Sequence, residues 1–284
     1  MDRQLTGIDH LIIGVRDLEA ARQRWARLGF NSTPRGRHVG WGTANYCIML
    51  GEDYLELLGI VDPAQFTNDL DWFLDERGEG LLGIALGSRD LAATRAAWAE
   101  AGLEPAEPKA LGRLLELEEG PVELRFRNVM LPRERTAEVS LFALEHRTPE
   151  LLRRPAWLLH PNGALAIRSC TIVAADTRPV VEAMRRLFGA STITDTDNIV
   201  AAHVGRGVVL VAPPEDAELI HPELGLQEPP PAPRLMALVL AVADPERTAS
   251  FLKLQGVPFQ RASGGDVLVP PAEANGVALE FTRG

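Results

Sequence analysis

The sequence predicts an α+β fold assembled from four βαβββ modules, and three observations lead there. One local pattern recurs at Asp17, Asp90, Asp176 and Asp244. Each Asp follows a short apolar run and opens a stretch of helical character. Each stretch ends at a glycine and gives way to short β-rich runs separated by Gly, Pro and Asp. One such unit cannot bury both faces of its sheet, so paired units that curl into half-open cups are the expected solution.

The first module begins with the apolar run IDHLIIGV, and Asp17 then opens DLEAARQRWARLGF. An Asp at this point is a good helix N-cap, because its carboxylate accepts from the free amides of the first turn. Gly29, Gly102, Gly189 and Gly256 fall 12 or 13 residues after the four Asp residues, where a helix wants a left-handed C′ residue. Trp25, Trp98, Met184 and Leu252 each lie eight residues into their copy and are expected to face a core. The strands that follow are TANYCIMLG and YLELLGI, then VELRFRNVML and VSLFALEH, then NIVAAHV and GVVLVAP, and last DVLVP and GVALEFT.

Punctuation sets the boundaries. The Pro-rich stretch 148–163 reads as a linker between an N-terminal domain, 1–147, and a C-terminal domain, 164–284, each of two modules. Residues 213–233, with PPEDAE and EPPPAP, read as a loop or covering arm between the third and fourth copies.

With 284 residues, 46% hydrophobic and 24% charged, the chain can bury a sizeable core. A formal charge of −10 argues against a nucleic-acid partner, which needs clustered basic surface. Cys47 and Cys170 sit in apolar runs without CxxC spacing, as suits a reducing compartment. The opening MDRQLTGID lacks the apolar core of a signal peptide, and no apolar run has membrane-spanning length. The expected setting is cytoplasmic, with no membrane partner.

Strand alternation places Ile8, His10 and Ile12 on one face, and Tyr54, Glu56 and Leu58 likewise. The other faces, Leu11/Ile13/Val15 and Leu55/Leu57, suit packing beneath the helix. His10 and Glu56 then point into the cup. A neutral, hydrogen-bonded core histidine is the competing reading for His10. Glu56 is harder to explain that way, since a carboxylate within YLELL is costly to bury unless paired or functional. No nucleophile elbow, P-loop or dinucleotide fingerprint is present.

The stretches IDHLIIGVRDLEAA and YLELLGI resemble the vicinal oxygen chelate superfamily, which includes glyoxalase I and the extradiol dioxygenases. More narrowly, HVGWGTANYCIML, YLELLGI and LEHRTPELLRRPAWLLHPNGA resemble the bacterial glyoxalase-like domain family. The resemblance implies two cup-shaped glyoxalase-like domains. It also implies a small-molecule pocket lined by His38, Trp41, Thr43 and Asn45, with Tyr54 and Phe142 beside them. Metal-binding members place a His on the first strand and a Glu on the last strand of a module, which are His10 and Glu56 here. Such a pair suits divalent Zn, Mn, Fe or Ni. The implied chemistry is isomerase, lyase or dioxygenase work on vicinal oxygens, with Glu56 as ligand or base and His10 as ligand.

The other modules depart from that pattern. The His10 position, seven residues before each Asp, becomes Gly83, Ser169 and Ala237, and the Glu56 position becomes Phe142, Leu210 and Glu280. Glyoxalase I activity itself is therefore not expected. Two readings stand: a metal-assisted enzyme, with Glu280 as a further ligand candidate, and a metal-free protein that binds or sequesters a small molecule. A homodimer could supply the missing ligands. Glu145, His146 and His160 are read as structural, and His203 and His221 as background.

Overall fold

The structure is a computed structural model that describes residues 4–284. In the first half, β1 (Leu5–Gly14) leads into α1 (Leu18–Arg27), then β2 (Gly36–His38), β3 (Thr43–Met49) and β4 (Tyr54–Ile60). A connecting helix, α2 (Leu70–Arg77), precedes β5 (Gly80–Ser88), α3 (Leu91–Glu100), β6 (Lys109–Leu117), β7 (Gly120–Met130) and β8 (Ser140–His146). A short helix α4 (Pro149–Leu152) then leads to β9 (Ala164–Val173), α5 (Arg178–Phe188), β10 (Ile193–Thr196), β11 (Ile199–Val204) and β12 (Gly207–Ala212). The chain closes with α6 (Pro214–Ile220), β13 (Arg234–Val242), α7 (Pro245–Leu254), β14 (Gln260–Arg261), β15 (Val267–Val269) and β16 (Ala278–Arg283).

The caps follow the expected chemistry in three modules. The carboxylates of Asp17, Asp90 and Asp244 accept from Ala20, Ala93 and Glu246 amides at 2.9, 3.0 and 3.2 Å. Asp176 differs. Thr177 occupies the N-cap position, and Asp176 instead accepts from the Arg178 amide and guanidinium. Pro179 in the first turn, with its fixed φ and missing N–H, helps start this helix without a side-chain cap.

The first two modules close into an eight-stranded barrel in the order β1-β4-β3-β2-β6-β7-β8-β5. The last two form an open sheet, β10-β11-β12-β9-β13-β16-β15-β14. The difference lies at one seam. In the barrel β2 pairs with β6 through Gly36–Leu115, Arg37–Leu114 and His38–Arg113. The equivalent strands of the second half, β10 and β14, do not pair, and β14 is only two residues long.

Of the register shifts between β1 and β5, one falls beside His10 and breaks the strand alternation there. Ile8 pairs with Leu86 and His10 with Ala85, so Asp9 is an extra residue in a β-bulge. The bulge moves Ile8 to the helix-covered core beside Leu11 and Ile13, while Ile12 joins Leu58 and Phe142 on the cavity side. Ile8 therefore does not share a face with His10.

The helices bind the halves together. Trp25, Trp98, Met184 and Leu252 all belong to one apolar cluster that runs through both halves. Trp25 Nε1 donates to Asn275 Oδ1 at 3.2 Å, and Trp98 Nε1 donates to the Leu187 carbonyl at 3.1 Å. The Pro-rich stretch packs onto the barrel, with Leu152, Trp157 and Leu158 against Cys47, Met49 and Tyr54. His160 locks that path: its Nδ1 accepts from the Asn31 amide at 3.1 Å, and its Nε2 donates to the Met49 carbonyl at 2.8 Å. Among the described residues, no helix is long and apolar enough to cross a membrane.

Candidate functional site

The barrel holds a cavity of about 80 Å³ that opens to solvent at its mouth. Its apolar wall includes Ile12, Leu111, Phe126, Met130, Phe142 and Leu144, and its polar lining includes His10, His38, Glu56, Arg113, Asn128 and His146. Both modules thus contribute side chains to one pocket. Large apolar surface with a few convergent polar groups is the ordinary make-up of a small-molecule site.

Glu56 sits at the centre of the polar groups. In β4 it lies beside Ile12 of β1 on one side and Cys47 of β3 on the other. His10 Nε2 stands 3.4 Å from Glu56 Oε2. On the other oxygen, Oε1, the Asn45 amide donates a hydrogen bond, and Arg113 Nη1 and His38 Nε2 each lie at 3.8 Å. Arg113 also donates to Cys47 Sγ at 3.0 Å.

The bulge explains how His10 is held. Placed out of the alternation, Asp9 accepts from His10 Nδ1 at 2.8 Å and from His146 Nε2 at 3.1 Å. Tyr54 stacks on His10 with ring centroids 4.4 Å apart, and Phe142 meets the imidazole edge-on at 5.9 Å. The imidazole is fixed in position, orientation and hydrogen bonding.

The charges follow from these contacts. Burial acts to lower the pKa of His10, but hydrogen bonds to Asp9 and Glu56 and their negative charges outweigh it and raise it above the ordinary value. Burial acts to raise Glu56, yet the His10 hydrogen bond and the His10 and Arg113 charges bring it down to about 2. Asp9 is likewise lowered against burial by its bonds to His10 and His146. For His38 burial wins over the opposing pull of the Glu56 charge. Burial, with Arg113 and His10 nearby, takes it down to about 4, so at neutral pH it is an uncharged ring hydrogen-bonded to Thr43 Oγ1 at 2.9 Å. Burial also pushes the Cys47 thiol up to about 11, which leaves it unreactive as a nucleophile.

Of the residues expected from sequence, His10, His38, Trp41, Tyr54, Glu56 and Phe142 line the cavity. Thr43 and Asn45 do not; they are buried one layer back, where they hold His38 and Glu56. Gly42 belongs to a tight turn, where a β-carbon would overlap the Asp62 carbonyl oxygen, so this glycine serves the close approach of two loops. His146, read from sequence as structural, lies in the lining and bonds Asp9. Glu280 lies on the other sheet, far in topology from His10 and Glu56. Asp9, Arg113 and Asn128 had no place in the sequence reading.

The set does not fit a divalent ion well. His10 and Glu56 form no compact three-ligand group with another His, Cys, Asp or Glu among the described residues. Arg113 sets a permanent positive charge beside the carboxylate that a metal would need. Two polar atoms at the cavity wall, Arg113 Nε and Asn128 Oδ1, make no hydrogen bond. Unmet groups of this kind mark where a ligand atom or ordered water belongs.

Solved structures share this fold across nearly the whole chain. A hypothetical protein from Staphylococcus aureus superposes with a TM-score of 0.70 at 12% identity, covering 97% of this chain and 98% of its own. A variant of 4-hydroxymandelate synthase from Streptomyces coelicolor gives 0.61 at 11% identity, covering 99% and 94%. A xylose isomerase-like TIM barrel/4-hydroxyphenylpyruvate dioxygenase fusion protein gives 0.63 at 16% identity; 98% of this chain is covered, but only 49% of the fusion. At these identities the likeness is one of fold. No curated protein matches the sequence. The profile of the glyoxalase-like domain family matches residues 8–188, and over that majority of its length the chain belongs to the glyoxalase-like domain family.

Proposed function

We propose that the N-terminal barrel binds one small organic molecule without a metal ion at its polar floor. The apolar body of the ligand rests on Ile12, Phe126, Met130 and Phe142, and a hydrogen-bonding group meets the Glu56, His10 and Arg113 cluster. One observation carries this reading: the Glu56 carboxylate is already neutralised by Arg113 and His10 and hydrogen-bonded by Asn45. A carboxylate so paired is a poor metal ligand and a well-oriented acceptor.

The chain of contacts Asp9–His10–Glu56 favours a second reading, metal-independent proton transfer. His10 holds its proton between two carboxylates at the cavity wall, as a general acid would, with Glu56 as its anchor. Under this reading the protein is a lyase or isomerase, and the bound molecule is consumed.

Metal analysis of wild type beside His10→Ala and Glu56→Ala tests the shared premise. Equal metal content in all three supports it, whereas an ion lost from both variants would restore the chelate mechanism. Product analysis after incubation with a bound compound then separates binding from turnover.

A further inference from the structure

The second half treats its sheet differently. The positions that face the cavity in the barrel are covered here by the arm that follows β12. Ala217 of α6 and Leu224 pack on Val173, Ala212, Ala237 and Ala278, so the arm covers part of that face of the open sheet. Ala237 and Glu280 are the fourth-module counterparts of His10 and Glu56, and Val239, two residues past Ala237, pairs with Glu280 as Ile12 pairs with Glu56.

The arm brings a histidine and a glutamate of its own to that glutamate. His221 Nδ1 lies 3.3 Å from Glu280 Oε2 and 3.8 Å from Glu223 Oε1. One ligand atom from each of the three residues falls within 4.8 Å of the others. Ligands about 2.1 Å from a tetrahedrally coordinated ion stand roughly 3.4 Å apart, so the triangle is of the right size. On its far side the imidazole is set by Thr171, whose Oγ1 is 2.8 Å from His221 Nε2. Such a bond holds Nδ1 toward the two carboxylates, as outer partners of metal-bound histidines do.

An independent observation points the same way. The Glu223 side chain is 1% exposed, and neither of its carboxylate oxygens has a hydrogen-bond partner. A buried charge in that state is costly unless a counter-ion meets it. Two carboxylates and a neutral imidazole balance a divalent cation, and Glu280, 15% exposed, leaves it a route from solvent.

We propose that His221, Glu223 and Glu280 bind a divalent first-row transition-metal ion that pins the arm onto the open sheet. The first-strand positions Ser169 and Ala237 take no part in this ligand set. A nitrogen with two carboxylates suits Zn(II) or Mn(II) better than Ca(II) or Mg(II), which prefer all-oxygen shells. The site is independent of the small-molecule pocket in the barrel.

The test uses the full chain, stripped with chelator and then dialysed against Zn(II) or Mn(II), with metal content and Tm as readouts. One equivalent per chain is expected for wild type and Glu56→Gln, with Tm raised by several degrees and cleavage within 213–226 slowed at least tenfold by the ion. Glu223→Gln and Glu280→Gln should each hold less than a tenth of an equivalent and show no ion-dependent change in Tm. Glu223→Gln should still fold, since it removes a buried unpaired charge. Failure of wild type to retain either ion would overturn the proposal, as would an ion that follows Glu56 rather than Glu223 and Glu280.

Discussion

Arg113 Nη1 lies 3.8 Å from the Glu56 carboxylate, with both side chains about 6% exposed. The two residues come from different modules and meet because β2 joins β6 and closes the barrel. Their proximity changes the nature of the site. The glutamate that would be a metal ligand becomes one half of a buried ion pair.

Arg113→Met should therefore destabilise the protein by about 3 kcal/mol, because removing one partner leaves a buried charge less compensated. The double variant with Glu56→Gln should recover part of that loss. Chemical denaturation of the four proteins gives the coupling energy, and strict additivity would mean that the pair does not interact.

Three groups at the site should shape stability against pH. The folded pKa of His10 lies above its ordinary 6.5, so its stabilisation is complete below 6.5 and lost as pH rises through the folded value. His38 runs the other way: with a folded value of about 4 against 6.5, it makes stability fall as pH drops from 6.5 to 4. Glu56, at about 2 against 4.5, adds a further loss as pH drops from 4.5 toward 2. Burial takes Asp53 up to about 7, which weakens stability as pH rises from 3.8, but Asp53 is common to the variants. Relative to wild type, His10→Gln should flatten the limb above 6.5, and His38→Gln the limb between 4 and 6.5. Denaturant midpoints across pH 3 to 9, a range of about six units around these values, read both differences. Parallel curves would contradict the assignments.

Gly36 pairs with Asn45 in β2–β3 and with Leu115 in β2–β6. A β-carbon there would overlap Asn45 Oδ1 and stand 2.8 Å from Arg113 Cδ, displacing two of the groups that hold Glu56. Gly36→Ala should cost about 1–3 kcal/mol by overpacking. It should also weaken ligand binding beyond the effect of stability, which binding measured well below the variant's Tm would reveal.

Much of this was legible in the sequence, for reasons that are local. Strand runs, Asp caps and glycine stops depend on neighbouring residues, so the module pattern could be read directly, and with it the inward aim of His10 and Glu56. Asp9 was not legible, because alternation assumes an unbroken ladder and the bulge at Asp9 breaks it. Arg113 reaches Glu56 through a pairing between modules that no local pattern announces. One signal was available: Leu111, Arg113 and Leu115 alternate along β6, and a lone basic residue on the inward side of such a strand asks for a partner. His221 escapes a local reading for a similar reason. It lies between elements, on an aperiodic segment, and its partners Thr171 and Glu280 come from strands on either side of it in the chain.

The central claim is that the barrel binds a small molecule through the Glu56 cluster without a metal ion there. Calorimetric titration of chelator-treated protein with the strongest hit from a thermal-shift screen of small aromatic and aliphatic compounds tests it most directly. The account predicts one site per chain, an affinity unchanged by added Zn(II), Mn(II), Fe(II) or Ni(II), and at least tenfold weaker binding in Glu56→Gln. Binding that appears only when a divalent ion is restored, and vanishes with it in Glu56→Gln, would contradict it.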